Sequence, residues 1–219
     1  MSISIPTSPI TPPMANVGDP MITLELKDGT TLQGYSFGAE TTTAGELVFQ
    51  TGMVGYPESI TDPSYEGQIL VITYPLVGNY GVPDRKLMDE YVESLPRYFE
   101  SNRIHIAGLV VAHYTEEYSH WLAESSLSKW LKESNIPAVY GIDTRSLTKH
   151  LRECGSMLGR FALQKENSSF EVANSAEWIS HFDIPEWSDP NVQNLVEKVS
   201  LKEPLVNVSL FPNLINSVA

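Results

Sequence analysis

The side chains able to do chemistry are few and scattered. Cys154 is the single cysteine among 219 residues, so no intrachain disulfide can form, and a metal site would have to rest on histidines and carboxylates. As a nucleophile Cys154 would need a base and an oxyanion hole brought to it. Its position seven residues after Leu147 on an amphipathic pattern favours a buried structural cysteine instead. Ser64 stands in Asp62-Pro63-Ser64-Tyr65, not in the Gly-x-Ser-x-Gly elbow whose strained turn exposes a nucleophilic serine. It reads as a binding or capping serine. His105, His113 and His120 are too widely spaced for a compact metal motif and read as strand-end or surface histidines. Glu58 and Asp62 flank a turn, where stabilising that turn is a simpler role than acid–base work. Gly78-Asn79-Tyr80-Gly81 has neither the lysine of a phosphate loop nor dinucleotide-type glycine spacing, so it is weak evidence for nucleotide binding. The residues therefore predict no catalytic group, no metal and no cofactor.

The elements that must position these groups alternate between strand and helix. Ile22, Leu24 and Leu26 alternate with Thr23, Glu25 and Lys27, giving a strand with one apolar face. Asp28-Gly29 supplies a turn, and Thr30 to Phe37 returns as the hairpin partner. A strand over Glu46 to Thr51 leads into a Gly- and Pro-punctuated loop from Gly52 to Tyr65. The next strand, Gln68 to Tyr74, contains Ile69-Leu70-Val71-Ile72, apolar on both faces and so suited to the middle of a sheet covered on both sides. Pro75 to Asp84 reads as irregular loop, and His105 to Val111 as another strand. Ser126 can cap a helix whose buried face is Leu127, Trp130 and Leu131, ended by Asn135 and Pro137. Ala138 to Tyr140 is a short strand. Asp143 or Thr144 can cap a second helix with Leu147, Leu151 and Cys154 inward, and Gly155 is placed as its stop.

This pattern predicts a layered α/β domain with a mixed sheet, early hairpins and late helices over residues 21–164. Residues 1–20 carry five prolines among Ser and Thr and read as a disordered arm. Residues 165–204 read as a linker, with Ile184 through Asn194 more loop than element, and 205–219 as an unrelated tail. The net charge of −13, from 27 acidic and 14 basic side chains, repels nucleic acid and anionic lipid surfaces. Met1 to Pro13 lacks the pattern of a secretory signal or a mitochondrial presequence, and no run approaches the roughly 20 apolar residues of a membrane helix. A cytoplasmic location is expected.

Seven segments, in order, resemble the amino-terminal domain of carbamoyl-phosphate synthetase small chains. They are Leu26-Lys27-Asp28-Gly29-Thr30, Gly45 through Met53, Gly55-Tyr56-Pro57-Glu58, Thr61 through Tyr65, Thr73-Tyr74-Pro75, Gly78 through Gly81 and Gly141 through Arg145. The likeness runs from about Ile22 to Leu163. A further resemblance, carried by Thr7 to Pro13 and Leu95 to Gly108, is to the head of fungal multifunctional pyrimidine-biosynthesis proteins, where glutaminase, synthetase and aspartate transcarbamylase are fused.

The resemblance implies a β/β/α fold of swivelling type and a role as docking and substrate-contact module of a glutamine-dependent synthetase. The implied partners are the glutaminase domain and the large synthetase part, with glutamine bound in the complete assembly. By residue-level matching, Ser64 is implied to contact glutamine. The family's glutaminase uses a cysteine in a Gly-x-Cys-x-Gly-like elbow and a downstream His-Pro-Glu-like pair, and this sequence has neither, so no turnover is expected from it alone. Asn194-Leu195-Val196 and Val199 to Pro204 resemble the connector into the glutaminase domain, and the likeness fails after Pro204. A module that stops short of that domain is one expectation; a stand-alone interaction or regulatory protein that binds an intact synthetase is the alternative.

Overall fold

The computed structural model describes residues 19–90, 92, 94–164 and 182–202. The expectations for the first 18 residues, for 165–181 and for 205–219 lie outside them. The chain begins with the predicted hairpin: β1 (Met21–Leu26) and β2 (Thr31–Ser36) pair antiparallel. Asp28 shapes the turn by accepting the amide of Thr30 at 2.9 Å, and Gly29 takes the positive φ of 90° that favours glycine there.

Three parallel neighbours follow in space: β3 (Thr43–Gln50), β4 (Ile69–Ile72) and β6 (Gly108–Val111), with β8 (Ala138–Tyr140) parallel to β6 and antiparallel to β2. A small separate ribbon pairs β5 (Val82–Pro83) with β7 (Ala123–Ser125). The α/β reading with a mixed sheet is borne out. So is the position of Ile69 to Ile72, central and buried on both faces, each side chain contributing roughly 1.5–3 kcal/mol through burial.

The sequence reading did not include β9 (Met157–Gln164), and β9 decides the architecture. It pairs antiparallel with β3 on one edge and with β1 on the other. Those pairings close the sheet on itself in the order β1, β2, β8, β6, β4, β3, β9 and back to β1. Gly159 permits the closure, because a Cβ there would meet Leu47 Cδ1 at 2.0 Å and Leu24 Cδ1 at 3.2 Å.

Closure makes two cores. Ile22, Leu24, Leu47, Ile69, Val71, Val110, Val139 and Phe161 form one, joined by Leu147 and Leu151 of α3 (Thr144–Cys154). Leu70, Ile72, Leu109, Val111 and Ala138 face the other, covered by Ile60 of α1 (Tyr56–Thr61), by Leu127, Trp130 and Leu131 of α2 (Leu127–Glu133), and by Phe99. Ser126 caps α2 through the amide of Lys129, and Asp143 caps α3 through that of Ser146.

Two expectations need correction. The stretch from Gly52 to Tyr65 is not all loop: Pro57, read as a breaker, occupies the first turn of α1, where a missing N–H costs nothing. Cys154 is exposed, not buried, because α3 turns its last residue past the edge of the core. In the stretch read as a linker, residues 182–202 carry β10 (Phe182–Asp183), which adds to the end of β9, a 3-10 turn over Pro190–Val192, and α4 (Leu195–Val199).

Candidate functional site

Ser64 lies in a 3-10 turn, Pro63–Tyr65, whose geometry is fixed from both sides. Pro63 presets φ, and the Asp62 carboxylate accepts the amide of Ser64 at 2.8 Å. Asp62 thus takes the turn-stabilising role expected of it. The Ser64 hydroxyl is exposed and has no hydrogen-bond partner among the described residues. It is free to bind.

Directly behind it the chain turns inward, and Glu66 is only 5% exposed. Its carboxylate gathers three basic side chains: His105 Nδ1 at 2.5 Å, Arg103 at 3.0 Å and Lys198 Nζ at 2.7 Å. Burial works to raise the Glu66 pKa, but the hydrogen bonds from Lys198 and His105 and the charge of Arg103 outweigh it and hold the group below its ordinary value. His105 is itself depressed, chiefly by burial and also by Arg103, against the pull of Glu66. It lies ahead of β6 and is 6% exposed, a buried network member and not a surface histidine.

The remaining ring nitrogen of His105 meets Ser101 Oγ at 2.9 Å. Ser101, His105 and Glu66 therefore stand in the order of a serine–histidine–acid triad. The Ser101 hydroxyl, however, donates to the carbonyl of Thr61 at 2.7 Å, so its proton is directed at backbone and not at the imidazole. The arrangement locks the end of α1 to the loop before β6.

Lys198 ties α4 to this network, and other residues of the 182–202 segment lie along the same side. Pro190 packs on Gly67, its Cβ 3.3 Å from where a side chain would start. Asn191 donates to Glu46 at 3.1 Å, which also accepts from Gln68 and Ser156. Trp187 is held between two cations, with Lys27 Nζ at 4.5 Å and Arg160 Cζ at 4.3 Å from its ring centroid. The structure thus brings the chain just after Ser64's turn and residues 190–198 together, from segments more than 120 residues apart.

Glu58, the other acid singled out, sits in the first turn of α1 and lines an apolar hollow of about 390 Å³ with Val54, Pro57, Tyr80, Tyr98, His120 and Leu122. Tyr80, in the glycine-flanked loop, caps α1: its hydroxyl accepts the amides of Gly55 at 2.8 Å and Tyr56 at 3.0 Å. Sequence reasoning missed Tyr80, since a tyrosine cap reaching back 24 residues has no local signature.

Residues 24–161 match the family described as carbamoyl-phosphate synthase small chain, CPSase domain, so the chain belongs to that family. It is 73% identical over 208 residues to the multifunctional protein URA2 of Saccharomyces cerevisiae, covering 95% of this chain and 9% of that protein. Against the multifunctional protein pyr-3 of Neurospora crassa the identity is 60% over 90% of this chain, and 11% of that protein is covered. Against the human mitochondrial carbamoyl-phosphate synthase (ammonia) it is 46% over 81% of this chain and 11% of that protein. The chain spans about a tenth of the length of these relatives.

Proposed function

We propose that the chain is the docking and substrate-contact module of a glutamine-dependent carbamoyl-phosphate synthetase acting in de novo pyrimidine biosynthesis. The 73% identity to a fungal multifunctional protein over nearly the whole chain carries this reading. Residues 21–164 are its folding unit and 165–204 the connector toward a glutaminase domain, in the cytoplasm. Among the described residues no helix is long and apolar enough to cross a membrane.

Exposed apolar side chains support docking. Met53 and Val54 on the loop before α1 are 70% and 78% exposed, and Trp121, between the hollow-lining His120 and Leu122, is 83% exposed. A second set, Val192, Val196 and Leu201, lies on the connector. Surfaces of this kind are suited to being covered by neighbouring protein. Docking would also shield ammonia released from glutamine, since water would protonate it and remove its lone pair.

The module supplies contact rather than chemistry. Its cysteine stands in Glu153-Cys154-Gly155-Ser156, unlike a nucleophile elbow. The test is to mix the purified chain with separately expressed glutaminase and synthetase parts of a glutamine-dependent carbamoyl-phosphate synthetase. The proposal expects co-elution and a rise in glutamine-dependent carbamoyl phosphate synthesis, both reduced by Trp121→Ser. Absence of association would overturn it, and association without stimulation would favour a regulatory binder.

A further inference from the structure

Three different metal-ligating groups converge at the C-terminal end of α3, and none belongs to the network around Glu66. His150 and Cys154 are separated by four residues on α3 and so project from one helix face. Asp28 reaches them from the β1–β2 turn, 122 residues away in sequence. The three donor atoms lie within 4.8 Å of one another. His150 Nε2 is 2.6 Å from Asp28 Oδ2, and Cys154 Sγ is 3.8 Å from the His150 ring nitrogens.

We propose that Asp28, His150 and Cys154 form a binding site for a zinc-class divalent cation, with a fourth position open to solvent. One oxygen, one nitrogen and one sulfur suit a borderline-soft ion that accepts all three donor types, and not a hard ion that takes oxygen alone. Tetrahedral zinc with these ligands sets its donors about 3.4–3.6 Å apart. The sulfur is within a few tenths of an ångström of that spacing from the imidazole nitrogens, and all three donors lie within 4.8 Å of one another. The carboxylate must move outward by about 0.8 Å, which replaces its hydrogen bond to the imidazole with a shared ion.

Two features of the surroundings favour a cation there. Asp28 Oδ1 is already occupied by the Thr30 amide at 2.9 Å, which orients the other oxygen toward His150 as an outer partner orients a ligand. Cys154 is the last residue of an 11-residue helix, where the unpaired carbonyl ends of the backbone carry partial negative charge. The proton of Cys154 leaves to solvent as the thiolate binds, so coordination involves no oxidant.

Titration of the reduced full chain with Co²⁺, read by absorption, tests the site. Wild type should give a thiolate-to-cobalt charge-transfer band with tetrahedral d–d bands, reach one equivalent, and lose them on adding Zn²⁺. Cys154→Ser should lose the charge-transfer band, and Asp28→Asn or His150→Gln should weaken binding about tenfold or more. Circular dichroism of each variant reports that it remains folded. A wild-type chain with no charge-transfer band at excess Co²⁺, or folded Asp28 and His150 variants that bind as wild type does, would overturn the site. These readouts need neither synthetase nor glutaminase, so they stand apart from the docking proposal.

Discussion

Tyr56 and Tyr80 hold each other at both ends. Their rings stack with centroids 4.2 Å apart, the Tyr80 hydroxyl accepts the first two amides of the α1 region, and the Tyr56 hydroxyl donates to the carbonyl of Gly81 at 2.7 Å. Burial, aided by Tyr80, raises the Tyr56 phenol pKa, so it remains a donor. Each hydroxyl thus fixes the backbone on which the other ring is mounted.

Removing either hydroxyl should therefore weaken the other contact. Tyr80→Phe leaves two amide donors without their acceptor and should cost about 1–3 kcal/mol. Tyr56→Phe should cost a similar amount. The double variant should cost less than the sum, with a coupling of about 0.5 kcal/mol or more. Urea unfolding of all four proteins measures this, and strict additivity would mean the two contacts are independent.

The Glu66 cluster should make stability fall on acidification in two stages. His105 titrates in the folded chain below its ordinary 6.5, so the unfolded chain binds the extra proton first, and stability declines as pH drops from 6.5 toward the folded value. Glu66 is held below 4.5, so its contribution is present above that value and is lost as pH falls through the lower folded one. His105→Gln should abolish the slope of unfolding free energy just below pH 6.5, while the lower stage persists through Lys198 and Arg103 but is reduced, because His105 also helps to hold the Glu66 pKa down. Denaturant midpoints across the pH range would show it.

Trp187 should decide whether residues 182–202 stay in place. Its ring is flanked by Lys27 and Arg160, and Arg160 also bonds Glu25 at 2.7 Å and the carbonyl of Pro185 at 3.0 Å. Trp187→Ala removes two cation–π contacts worth about 0.5–1 kcal/mol each at a partly exposed site. Limited proteolysis should then cut residues 182–202 several times faster, while cleavage within the closed sheet is unchanged. Equal protection of both regions in the variant would assign the clamp no role.

Elements governed by short-range pattern were legible in the sequence. The β1–β2 hairpin follows from alternation and Asp28-Gly29, α2 and α3 from Ser126 and from Asp143 or Thr144 ahead of an apolar stripe, with Asp143 the cap the structure uses, and β4 from a run apolar on both faces. Features that depend on distant pairing were not. In β9, Arg160 interrupts an apolar run, and its partners, Glu25 across the closed sheet and Pro185 and Trp187 beyond it, are all distant in sequence. Cys154 fits the helical stripe by spacing alone, yet the core ends one turn earlier at Leu151. Ser64 was singled out through resemblance. Its local pattern, Asp-Pro-Ser, specifies the turn but not what the exposed hydroxyl would touch.

That hydroxyl allows a separation of binding from folding. Because Ser64 Oγ has no partner among the described residues and the turn is held by Asp62 and Pro63, Ser64→Ala should change stability by no more than about 0.5 kcal/mol. A neutral hydrogen bond to glutamine is worth about 0.5–1.5 kcal/mol, so in the complete assembly the same change should raise the glutamine KM roughly two- to tenfold. Asp62→Ala is the contrasting variant: it frees the Ser64 amide, loosens the turn, and should lower both stability and glutamine affinity. The assay compares carbamoyl phosphate synthesis from glutamine and from ammonia. Ser64→Ala should leave the ammonia-dependent rate unchanged, since ammonia bypasses the glutamine site. Equal loss with both nitrogen donors would show that Ser64 serves docking, and an unchanged glutamine KM would show that its hydroxyl does not touch the substrate.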